Sequence, residues 1–421
     1  MVNRGQRYRL TIERPAAGGR MIARHEGAIV FVSGAIPGEV VDAEVEKVQR
    51  GTVWAVTRQV LEPSPDRIAA EDGACGGSVF AHIAYERQRR IKSDIITDAL
   101  RRIGRITLES AVDVAPSPVD GYRMRARVHA RGGRIGFFRE GTHTLCDPAI
   151  SRQLSDDTVA VIRRLEAALA PAPDGLITDL EISENIDASQ RAVHLVLHPD
   201  AEPAPLASLV QVDGLTGATC AHGDSARTMD LFGSPIVSDR IAGIPFDRHV
   251  RSFFQANRYL IESFARWVAQ LCAEGPLVDL YAGAGLFSLA AAKLRGAGPI
   301  TAVEGDLFAA RDLKRNAGDD ITVVELPVEQ YVNRSRDPIA TTIVDPPRTG
   351  MSKEALQRAI AIASPRCIYV SCDVATLARD ARVLIDAGYR IASARAFDMF
   401  PNTAHIETVI AFDRQAAGPS L

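Results

Sequence analysis

The chain has 421 residues, of which 46% are hydrophobic and 24% charged, and its formal net charge is −3. This length is sufficient for two or three domains, and the composition is that of a soluble globular protein. No stretch approaches the roughly 18 consecutive apolar residues of a membrane-spanning helix, and the N-terminus, MVNRGQRYRLTIERP, has no apolar signal-peptide core. Six scattered cysteines do not suggest a disulfide framework. We therefore expect a cytoplasmic protein that has no membrane partner.

Two segments are locally basic although the chain as a whole is slightly acidic. Residues 122–139 contain six arginines and no acidic residue, and residues 86–105 contain seven Lys or Arg against three acids. Local clusters, rather than the net charge, decide whether a surface attracts nucleic acid. The two segments are candidate RNA-contacting surfaces, and ordinary solvated surface is an equally compatible interpretation.

The N-terminal region has the pattern of a small β-barrel. Five short apolar-alternating segments are separated by turns that contain Gly or Pro: YRLTIE, MIARHE, AIVFVSGAI, EVVDAEVEKV and GTVWAVTRQVL. Five short strands in so few residues predict a closed barrel of the oligonucleotide-binding (OB) type. A linker with Pro63 and Pro65 follows, so we place the first domain at residues 1–62.

The middle of the chain is rich in predicted strands and carries little that identifies chemistry. Apolar Ile91, Ile95 and Leu100 have helical spacing, and an amphipathic helix is predicted near Asp156–Leu169. Between and after these helices, RARVHAR, GRIGFFR, LEISEN and AVHLVLHP alternate like strands. We assign residues 63–245 to a β-rich central domain.

From about residue 250 strand and helix patterns alternate. Predicted strands such as PLVDLYAG, PITAVEG, TTIVDPP and CIYVSC are separated by predicted helices such as LFSLAAAKLRG and VATLARDARVLIDAG. This alternation predicts a doubly wound, mostly parallel α/β sheet of the Rossmann-like type. We assign it to residues 246–421.

The first motif of this domain suits a nucleotide-like ligand. Asp279-Leu-Tyr-Ala-Gly-Ala-Gly285 ends a strand and opens a helix, where small residues let the backbone approach a ligand. About 20 residues on, Glu304 ends the next strand, where an acid can bind ribose hydroxyls. The third glycine of the dinucleotide fingerprint is absent, because Ser288 stands there. A strand–turn–helix without any ligand is the alternative.

Two further motifs follow later strands. Val344-Asp345-Pro-Pro-Arg348 holds an acid and an arginine rigidly past a strand end. In Tyr369-Val-Ser-Cys372, the cysteine lies between a strand and a helix N-terminus, which can lower a thiol pKa. Cys367 leads into the same strand instead. It therefore fits an inert apolar position.

Two more pieces complete the set. In Phe397-Asp-Met-Phe-Pro-Asn-Thr-Ala-His405-Ile-Glu407, the last two titratable side chains alternate and so face one side, and either fits a general base. Arg251-Ser-Phe-Phe-Gln255 opens the domain, and ordinary interdomain packing is a second interpretation of it.

Together these pieces resemble the bacterial 5-methyluridine RNA methyltransferases. The match runs through SFFQAN, DLYAGAG, VEGD, DPPRTGM, YVSCDVATLARD and DMFPNTAHIE in the family's order. GGRMIARHEGAIVFVSGAIPGEVV likewise resembles the small RNA-binding TRAM domain of that family, and GYRMRARVH resembles the start of its central domain. The resemblance implies an enzyme, monomeric by default, that transfers the methyl group of S-adenosylmethionine to C5 of a uridine in rRNA or tRNA.

The resemblance also implies roles for individual residues. Cys372 falls on the family's nucleophile, which adds to C6 of the uracil, and Glu407 falls on its catalytic base. Arg348 would help to hold a nucleotide that is turned out of its stack. The S-adenosylmethionine site would be lined by Gln255, Tyr281, Glu304 and Asp345.

One departure from the family concerns metal. Many relatives bind an iron–sulfur cluster through a C-x5-C-G-G-C run and one later cysteine. In this chain the four positions hold Ala69, Cys75, Ser78 and Cys146. Because two of the four thiolates are missing, we expect no cluster and no other metal.

Three other functions share some of these sequence features. A cytosine-C5 methyltransferase typically has a proline before its nucleophile, whereas Ser371 precedes Cys372 here. A nicotinamide dehydrogenase requires the missing glycine and has no use for the thiolate. An RNA-binding or RNA-folding protein whose catalysis is secondary or lost is the third, and the intact Cys372 and Glu407 argue against lost catalysis.

Overall fold

The computed structural model describes residues 3–70, 72–200, 206–296, 298–335 and 337–415. The N-terminal strands close into a barrel in the order β1-β2-β3-β5-β4, which confirms the predicted barrel. Alternate residues point inward, so that Leu10 and Ile12 of the first strand and Val30 and Val32 of the third are buried in its interior. The strands are β1 (Arg7–Pro15), β2 (Met21–His25), β3 (Ala28–Ser33), β4 (Val40–Gln49) and β5 (Thr52–Glu62).

The segment after the barrel packs on the C-terminal part of the molecule. Helix α1 (Tyr85–Arg102) buries Ile91, Ile95 and Leu100, and the short strand β6 (Asp113–Ala115) joins the C-terminal sheet. The sequence assigned both elements to the central region at residues 63–245. They associate with the C-terminal region instead, through the pairing of β6 with a strand that is distant in sequence. No local sequence pattern indicates this pairing.

The central region is a seven-stranded sheet covered by a helix. Its strand order is β13-β12-β11-β10-β7-β8-β9, and Val161, Ile162 and Leu165 of the covering helix α2 are buried with the sheet's apolar residues. That helix spans the residues predicted for it, and Ser155 caps it by accepting a hydrogen bond from the Thr158 N–H. The elements are β7 (Arg125–Arg131), β8 (Arg134–Phe138), β9 (Leu145–Cys146), α2 (Asp156–Leu169), β10 (Ile177–Glu184), β11 (Arg191–Leu197), α3 (Leu206–Leu209), β12 (Gly217–His222) and β13 (Met229–Gly233).

A disulfide between Cys75 and Cys146 attaches the segment after the barrel to β9. Backbone pairing supports the attachment, because the Glu140 N–H donates to the Ala74 carbonyl at 2.9 Å. The cysteine count and spacing did not predict this bond, since spacing alone does not determine which cysteines meet in space.

The C-terminal region begins with a hairpin and continues as alternating strands and helices. The elements are β14 (Ile236–Ile241), β15 (Ile244–His249), α4 (Ile261–Leu271), β16 (Leu277–Leu280), α5 (Leu286–Arg295), β17 (Ile300–Glu304), α6 (Leu307–Ala317), β18 (Ile321–Glu325), β19 (Thr341–Val344), α7 (Lys353–Ala361), β20 (Arg366–Ser371), α8 (Val374–Asp386), β21 (Tyr389–Phe397) and β22 (Glu407–Arg414).

These strands form one eight-stranded sheet in the order β18-β17-β16-β19-β20-β22-β21-β6. Strands β16 to β20 run parallel, and β22 is inserted antiparallel between β20 and β21. The predicted doubly wound, mostly parallel sheet is therefore confirmed. The strand order reverses at β16, between β17 and β19, and such a switch point is where open α/β sheets bind ligands. No helix in the part of the chain described above is long and apolar enough to span a membrane.

Candidate active site

Four of the predicted site residues follow or end neighbouring parallel strands. Tyr281 follows β16, Glu304 ends β17, Asp345 follows β19 and Cys372 follows β20. The carboxyl ends of parallel strands meet at one edge of a sheet. The structure therefore brings these four residues to the same edge, at the switch point.

Cys372 and Glu407 leave the sheet side by side. Strand β20 pairs antiparallel with β22, and Ser371 lies opposite Thr408 in this pairing. Because the strands are antiparallel, Cys372, which follows Ser371, lies next to Glu407, which precedes Thr408. The antiparallel insertion of β22 thus delivers a carboxyl group to the thiol from a motif that is distant in sequence.

The turn after β16 is shaped for a close ligand. Tyr281, Gly283 and Gly285 all have positive φ, and a Cβ built on Gly283 would meet no atom within 4 Å. The Glu304 carboxylate accepts hydrogen bonds from the N–H groups of Gly283, at 2.8 Å, and of Asp306, at 2.6 Å. The Glu304 carboxylate at the end of β17 therefore fixes the conformation of the turn. The Ser288 side chain points towards Asp279 on β16 and away from the open space at Gly283.

Asp279 is a buried acid beneath this turn that the sequence did not select as a site residue. Ser288 Oγ donates to its Oδ2 at 2.5 Å, whereas Oδ1 is buried without a hydrogen-bond partner among the described residues. Burial raises the pKa of Asp279 to about 7. Its position on the strand before the glycine turn was the only signal in the sequence.

Asp345 is the acid nearest to the middle of the edge. It is partly buried, and Gln255 hydrogen-bonds its carboxyl group. Burial, together with the charges of Asp279 and Glu304, raises the pKa of Asp345 well above its ordinary range. The motif of residues 251–255 that opens the domain thus contacts the motif of residues 344–348.

The Cys372 thiol is half-buried and lies in an acidic environment. Burial and the carboxyl groups of Glu407 and Asp345 raise its pKa to about 12, and the charge of Arg348 acts in the opposite direction. The expectation that the helix N-terminus lowers this pKa is wrong. Desolvation and two carboxyl groups outweigh the helix end.

Glu407 is 4% exposed. Burial, and after it the charge of Asp345, raises its pKa to about 8, while Arg348 lowers it. A carboxyl group with such a pKa exchanges protons near neutrality, which is the property of a general base.

Arg348 and His405 lie on the open side of the thiol. Arg348 Nη2 is 3.4 Å from His405 Nε2. Desolvation and the charges of Arg348, Lys92 and Arg123 lower the pKa of His405 to about 4, so that its imidazole is neutral at physiological pH. A neutral imidazole that accepts from a guanidinium is suited to contact polar substrate atoms.

The loop that carries His405 is fixed by helix α1. Lys92 Nζ donates to Asp398 Oδ1 at 2.5 Å, and both side chains are fully buried. Gln88 donates to Asn402 Oδ1 at 2.9 Å and accepts from the Asn402 N–H at 3.0 Å. The loop between β21 and β22 is therefore held by a helix that the sequence had assigned to another domain.

A cavity of about 380 Å³ opens in front of Cys372. Residues of four parts of the chain line it, since the C-terminal edge faces a wall from the barrel, the segment after the barrel and the central region. The lining residues that matter below are Cys372, Arg348, His405, Arg123, Gln153 and Gly77. The last three were not predicted as site residues, and only the basic composition of residues 122–139 pointed to Arg123.

Cys367 differs from Cys372 as the sequence predicted. It is buried within β20, and burial raises its pKa to about 12. It lines no part of the cavity in front of Cys372.

Known families match both ends of the chain. The model described as tRNA (uracil-5-)-methyltransferase matches residues 237–415, and the TRAM domain model matches residues 2–56. An uncharacterised RNA methyltransferase of Lactiplantibacillus plantarum is 31% identical, over 98% of this chain and 94% of the relative. The 23S rRNA (uracil(1939)-C(5))-methyltransferase RlmD of Pseudomonas putida is 29% identical, over 97% of this chain and 94% of the relative.

A solved structure shares the fold over nearly the whole chain. The tRNA (uracil-54, C5)-methyltransferase of Pyrococcus abyssi, in complex with S-adenosyl-L-homocysteine, superposes with a TM-score of 0.76 at 24% identity. The match covers 96% of this chain and 99% of that one. The chain therefore belongs to the family of S-adenosylmethionine-dependent uracil-C5 RNA methyltransferases that open with a TRAM domain.

Proposed function

We propose that this protein methylates C5 of a uridine in RNA, with Cys372 as the covalent nucleophile and Glu407 as the base. The observation that carries this proposal is the adjacency of the two residues at the ends of β20 and β22, beside a cavity. A thiol and a titratable carboxyl group side by side are the pair that addition to uracil and proton removal require.

The residues proposed to bind the cofactor lie at the carboxyl edge of the C-terminal sheet. Gln255, Tyr281, Glu304 and Asp345 would hold S-adenosylmethionine, which supplies an electrophilic methyl group when it is bound. The residues fit this group in two ways. The turn at Gly283 leaves open space, and the buried acids beside it are stabilised by a cationic ligand, because burial and mutual repulsion otherwise disfavour their charges.

The reaction begins at the thiol. Deprotonated Cys372 Sγ forms a bond to C6 of the uracil, and the electrons of the C5–C6 double bond move to C5 and O4 as an enolate. C5 is then electron-rich and would take the methyl group of bound S-adenosylmethionine, while the electron pair of the broken S–CH3 bond stays on the departing sulfur. Arg348 favours the earlier addition to C6, because its positive charge stabilises the thiolate.

Glu407 completes the reaction. It takes the proton from C5, the C5–C6 double bond forms again, and the bond between C6 and Cys372 breaks with return of the electron pair to sulfur. The raised pKa of Glu407 means that the carboxylate binds this proton readily. The cavity in front of Cys372 is the proposed place of the flipped uridine, with Arg348 and His405 beside it.

An iron–sulfur cluster does not fit this chain. Two of the four family positions hold Ala69 and Ser78, and Cys75 and Cys146 at the other two are bonded to each other. Within the described residues, no group of three or more His, Cys, Asp or Glu could hold a metal ion. The reaction proposed here uses no metal.

We favour ribosomal RNA as the substrate. The barrel at the N-terminus supports RNA binding, and a relative that aligns over 97% of this chain is a 23S rRNA enzyme. A single chain supplies the proposed nucleophile, base and cofactor edge, so a monomer is the simplest form of the enzyme. We also propose that it acts in the cytoplasm.

The test is nucleoside mass spectrometry of separated rRNA and tRNA from a strain that lacks the gene. We expect one position in 23S rRNA to lose 5-methyluridine, and purified protein with S-adenosylmethionine to restore it. Loss from tRNA alone would contradict the choice of RNA. The absence of any loss, with an inactive purified protein, would contradict the proposed function.

A further inference from the structure

The wall opposite Cys372 contains an arginine that the reaction above does not use. Arg123, Gln153 and Gly77 line the cavity together with Cys372 and Arg348. Arg123 also lies near Gln255 in the folded protein, because its backbone pairs with Asn257, two residues after Gln255. The following inference rests on the proposed function, since it concerns how the same cavity holds its RNA.

The Arg123 guanidinium is held in place by neutral groups. Nη1 donates to Gln153 Oε1 at 2.7 Å, and Nε donates to the Arg125 carbonyl at 2.9 Å. Its guanidinium carbon lies 5.7 Å from the ring centre of Phe137 and 5.9 Å from that of Phe400. Two aromatic rings and two hydrogen bonds therefore fix its orientation before any ligand binds.

Gln153 is itself positioned by the glycine run that follows Cys75. Its Nε2 donates to the Gly76 carbonyl at 2.9 Å, and its Oε1 also accepts from the Tyr122 hydroxyl at 3.2 Å. A Cβ on Gly77 would lie 2.0 Å from Gln153 Nε2, and Gly77 has a φ of +91°. The glycines of the Cys-Gly-Gly-Ser run thus have a role in this wall that needs no metal.

The charge of Arg123 is not neutralised by the protein. In the described part of the chain no carboxylate lies within ion-pair distance of it, and no acceptor lies within hydrogen-bond distance of Nη2. Four of the five other arginines of residues 122–139 do have such partners: Arg125 with Glu181, Arg127 with Asp179, Arg134 with Glu166 and Arg139 with Asp72. Two acids also line the cavity, but Asp373 caps α8 and Glu140 is exposed.

We propose that Arg123, oriented by Gln153, is a positioning residue that binds a backbone phosphate next to the flipped uridine. A flipped nucleotide has lost its stacking and base pairing, so a contact between the protein and its phosphate backbone helps to hold it in the cavity. The planar fork of arginine suits phosphate oxygens, and phosphate contacts position a nucleic acid without reading its sequence. The thiol then meets C6 from the opposite side of the cavity.

The salt dependence of RNA binding tests this proposal. We would measure the affinity of wild type, Arg123→Gln and Arg123→Lys for an in vitro transcript of 23S rRNA across a salt series, with S-adenosylhomocysteine present. For Arg123→Gln we expect a roughly tenfold loss of affinity and a salt slope smaller by about 0.7, the value for one single-strand phosphate contact. Affinity for S-adenosylmethionine should not change, and KM for RNA should change more than kcat.

Arg266→Gln is the matched control. It removes the same charge from an exposed position on α4, where Arg266 pairs with Glu262, and should leave the slope unchanged. Arg123→Lys keeps the charge but not the fork, so it should keep the slope and lose about threefold in affinity.

Two results would overturn the proposal. An unchanged slope in a folded Arg123→Gln protein, with kcat reduced, would mean that Arg123 contacts the uracil instead of a phosphate. If Arg123→Gln does not fold, loss of slope in the folded Arg123→Lys protein would contradict the proposal equally. Wild type must methylate the same transcript, and its failure to do so would count against the proposed function, not against Arg123.

Discussion

The two sides of the cavity in front of Cys372 are built in different ways. On one side, Asp345 and Cys372 follow the neighbouring parallel strands β19 and β20, and Glu407 stands at the start of the antiparallel strand β22 on the other side of β20. On the other side, Arg123, Gln153 and Gly77 come from loops and a strand end of separate regions. The first side carries reactive groups whose positions follow from one sheet. The second carries groups that meet only when the segment after the barrel packs on the central region and both face the C-terminal sheet.

This difference suggests a division of labour. Reacting groups require distances accurate to a fraction of an ångström, which the ends of neighbouring strands provide. Recognition of an RNA backbone tolerates less exact distances, and loops held on a rigid scaffold are suited to it. Changes on the sheet side should therefore affect chemistry, and changes on the opposite side should affect RNA binding.

The largest effect is expected for Cys372→Ala. Without the thiolate no bond to C6 forms, so formation of 5-methyluridine should fall below detection, a loss of at least about 10⁴-fold. Binding of S-adenosylmethionine, measured by calorimetry, should be nearly unchanged, because the thiol attacks only the uracil.

Cys367→Ala is the control for Cys372→Ala, since it removes a thiol from the same strand. It should lose some stability and little activity. Measurable methyl transfer by purified Cys372→Ala protein would show that another group is the nucleophile.

Glu407→Gln should stop the reaction one step later. Addition and methyl transfer can proceed, but the C5 proton has no acceptor, so the covalent adduct should accumulate. We expect a protein–RNA band that survives denaturing electrophoresis and is absent when Cys372→Ala is added to the same chain. Normal turnover by Glu407→Gln would identify another base, with His405 the next to be tested.

Lys92→Met tests how far the sheet side depends on α1. The substitution leaves Asp398 buried and unpaired, which should destabilise the protein by about 3–5 kcal/mol in chemical denaturation. The loop that carries His405 loses its anchor, so activity at temperatures below unfolding should also fall.

The same change at an exposed lysine, Lys293→Met, should cost less than about 0.5 kcal/mol. The double variant Lys92→Met/Asp398→Leu should recover much of the lost stability, because no uncompensated charge remains. A stability loss no greater than that of the control would mean that the buried ion pair does not hold the loop.

The pH dependence of activity should report the buried base. Glu407 must be ionised to accept the C5 proton, and its pKa in the free enzyme is raised to about 8. The value of kcat/KM should therefore keep rising with pH through neutrality up to about 8 or beyond, since ionisation of Cys372 acts in the same direction. A plateau already above pH 6 would contradict the raised pKa.

The same shift predicts a stability change. The folded protein keeps a proton on Glu407 that the unfolded chain releases above its ordinary pKa of 4.5. Stability from this group is thus complete below that pH and is lost as the pH rises through about 8. Thermal unfolding of Glu407→Gln should show a smaller loss of stability between pH 5 and 9 than wild type shows.

The smallest effect is expected from removal of metal. The chain lacks two of the four cluster ligands, and Gly76 and Gly77 hold Gln153 without any metal. Protein purified without oxygen should be colourless, contain no stoichiometric iron or sulfide, and keep its activity with a chelator. A brown preparation with about four irons per chain would contradict this expectation.

Much of the fold is encoded locally. The barrel strands, the helices at Tyr85–Arg102 and Asp156–Leu169, and the alternating C-terminal sheet were predicted because apolar periodicity and turn residues act over a few positions. The proposed boundaries at residues 62 and 245 stay predictions. Strand β6 shows where prediction from local patterns fails. Its three residues are too few to predict that it pairs with β21, near the other end of the chain.

The sequence by itself also determined which reactive groups stand at the sheet edge, because each follows a recognisable strand and the carboxyl ends of parallel strands coincide. Only the tertiary structure decided that Arg123 and Gln153 face the thiol, that Cys75 pairs with Cys146, and that Cys372 has a raised pKa. These properties depend on which distant segments meet and on how much water they exclude. Neither quantity is present in a local stretch of sequence, since contact and desolvation belong to the packed molecule.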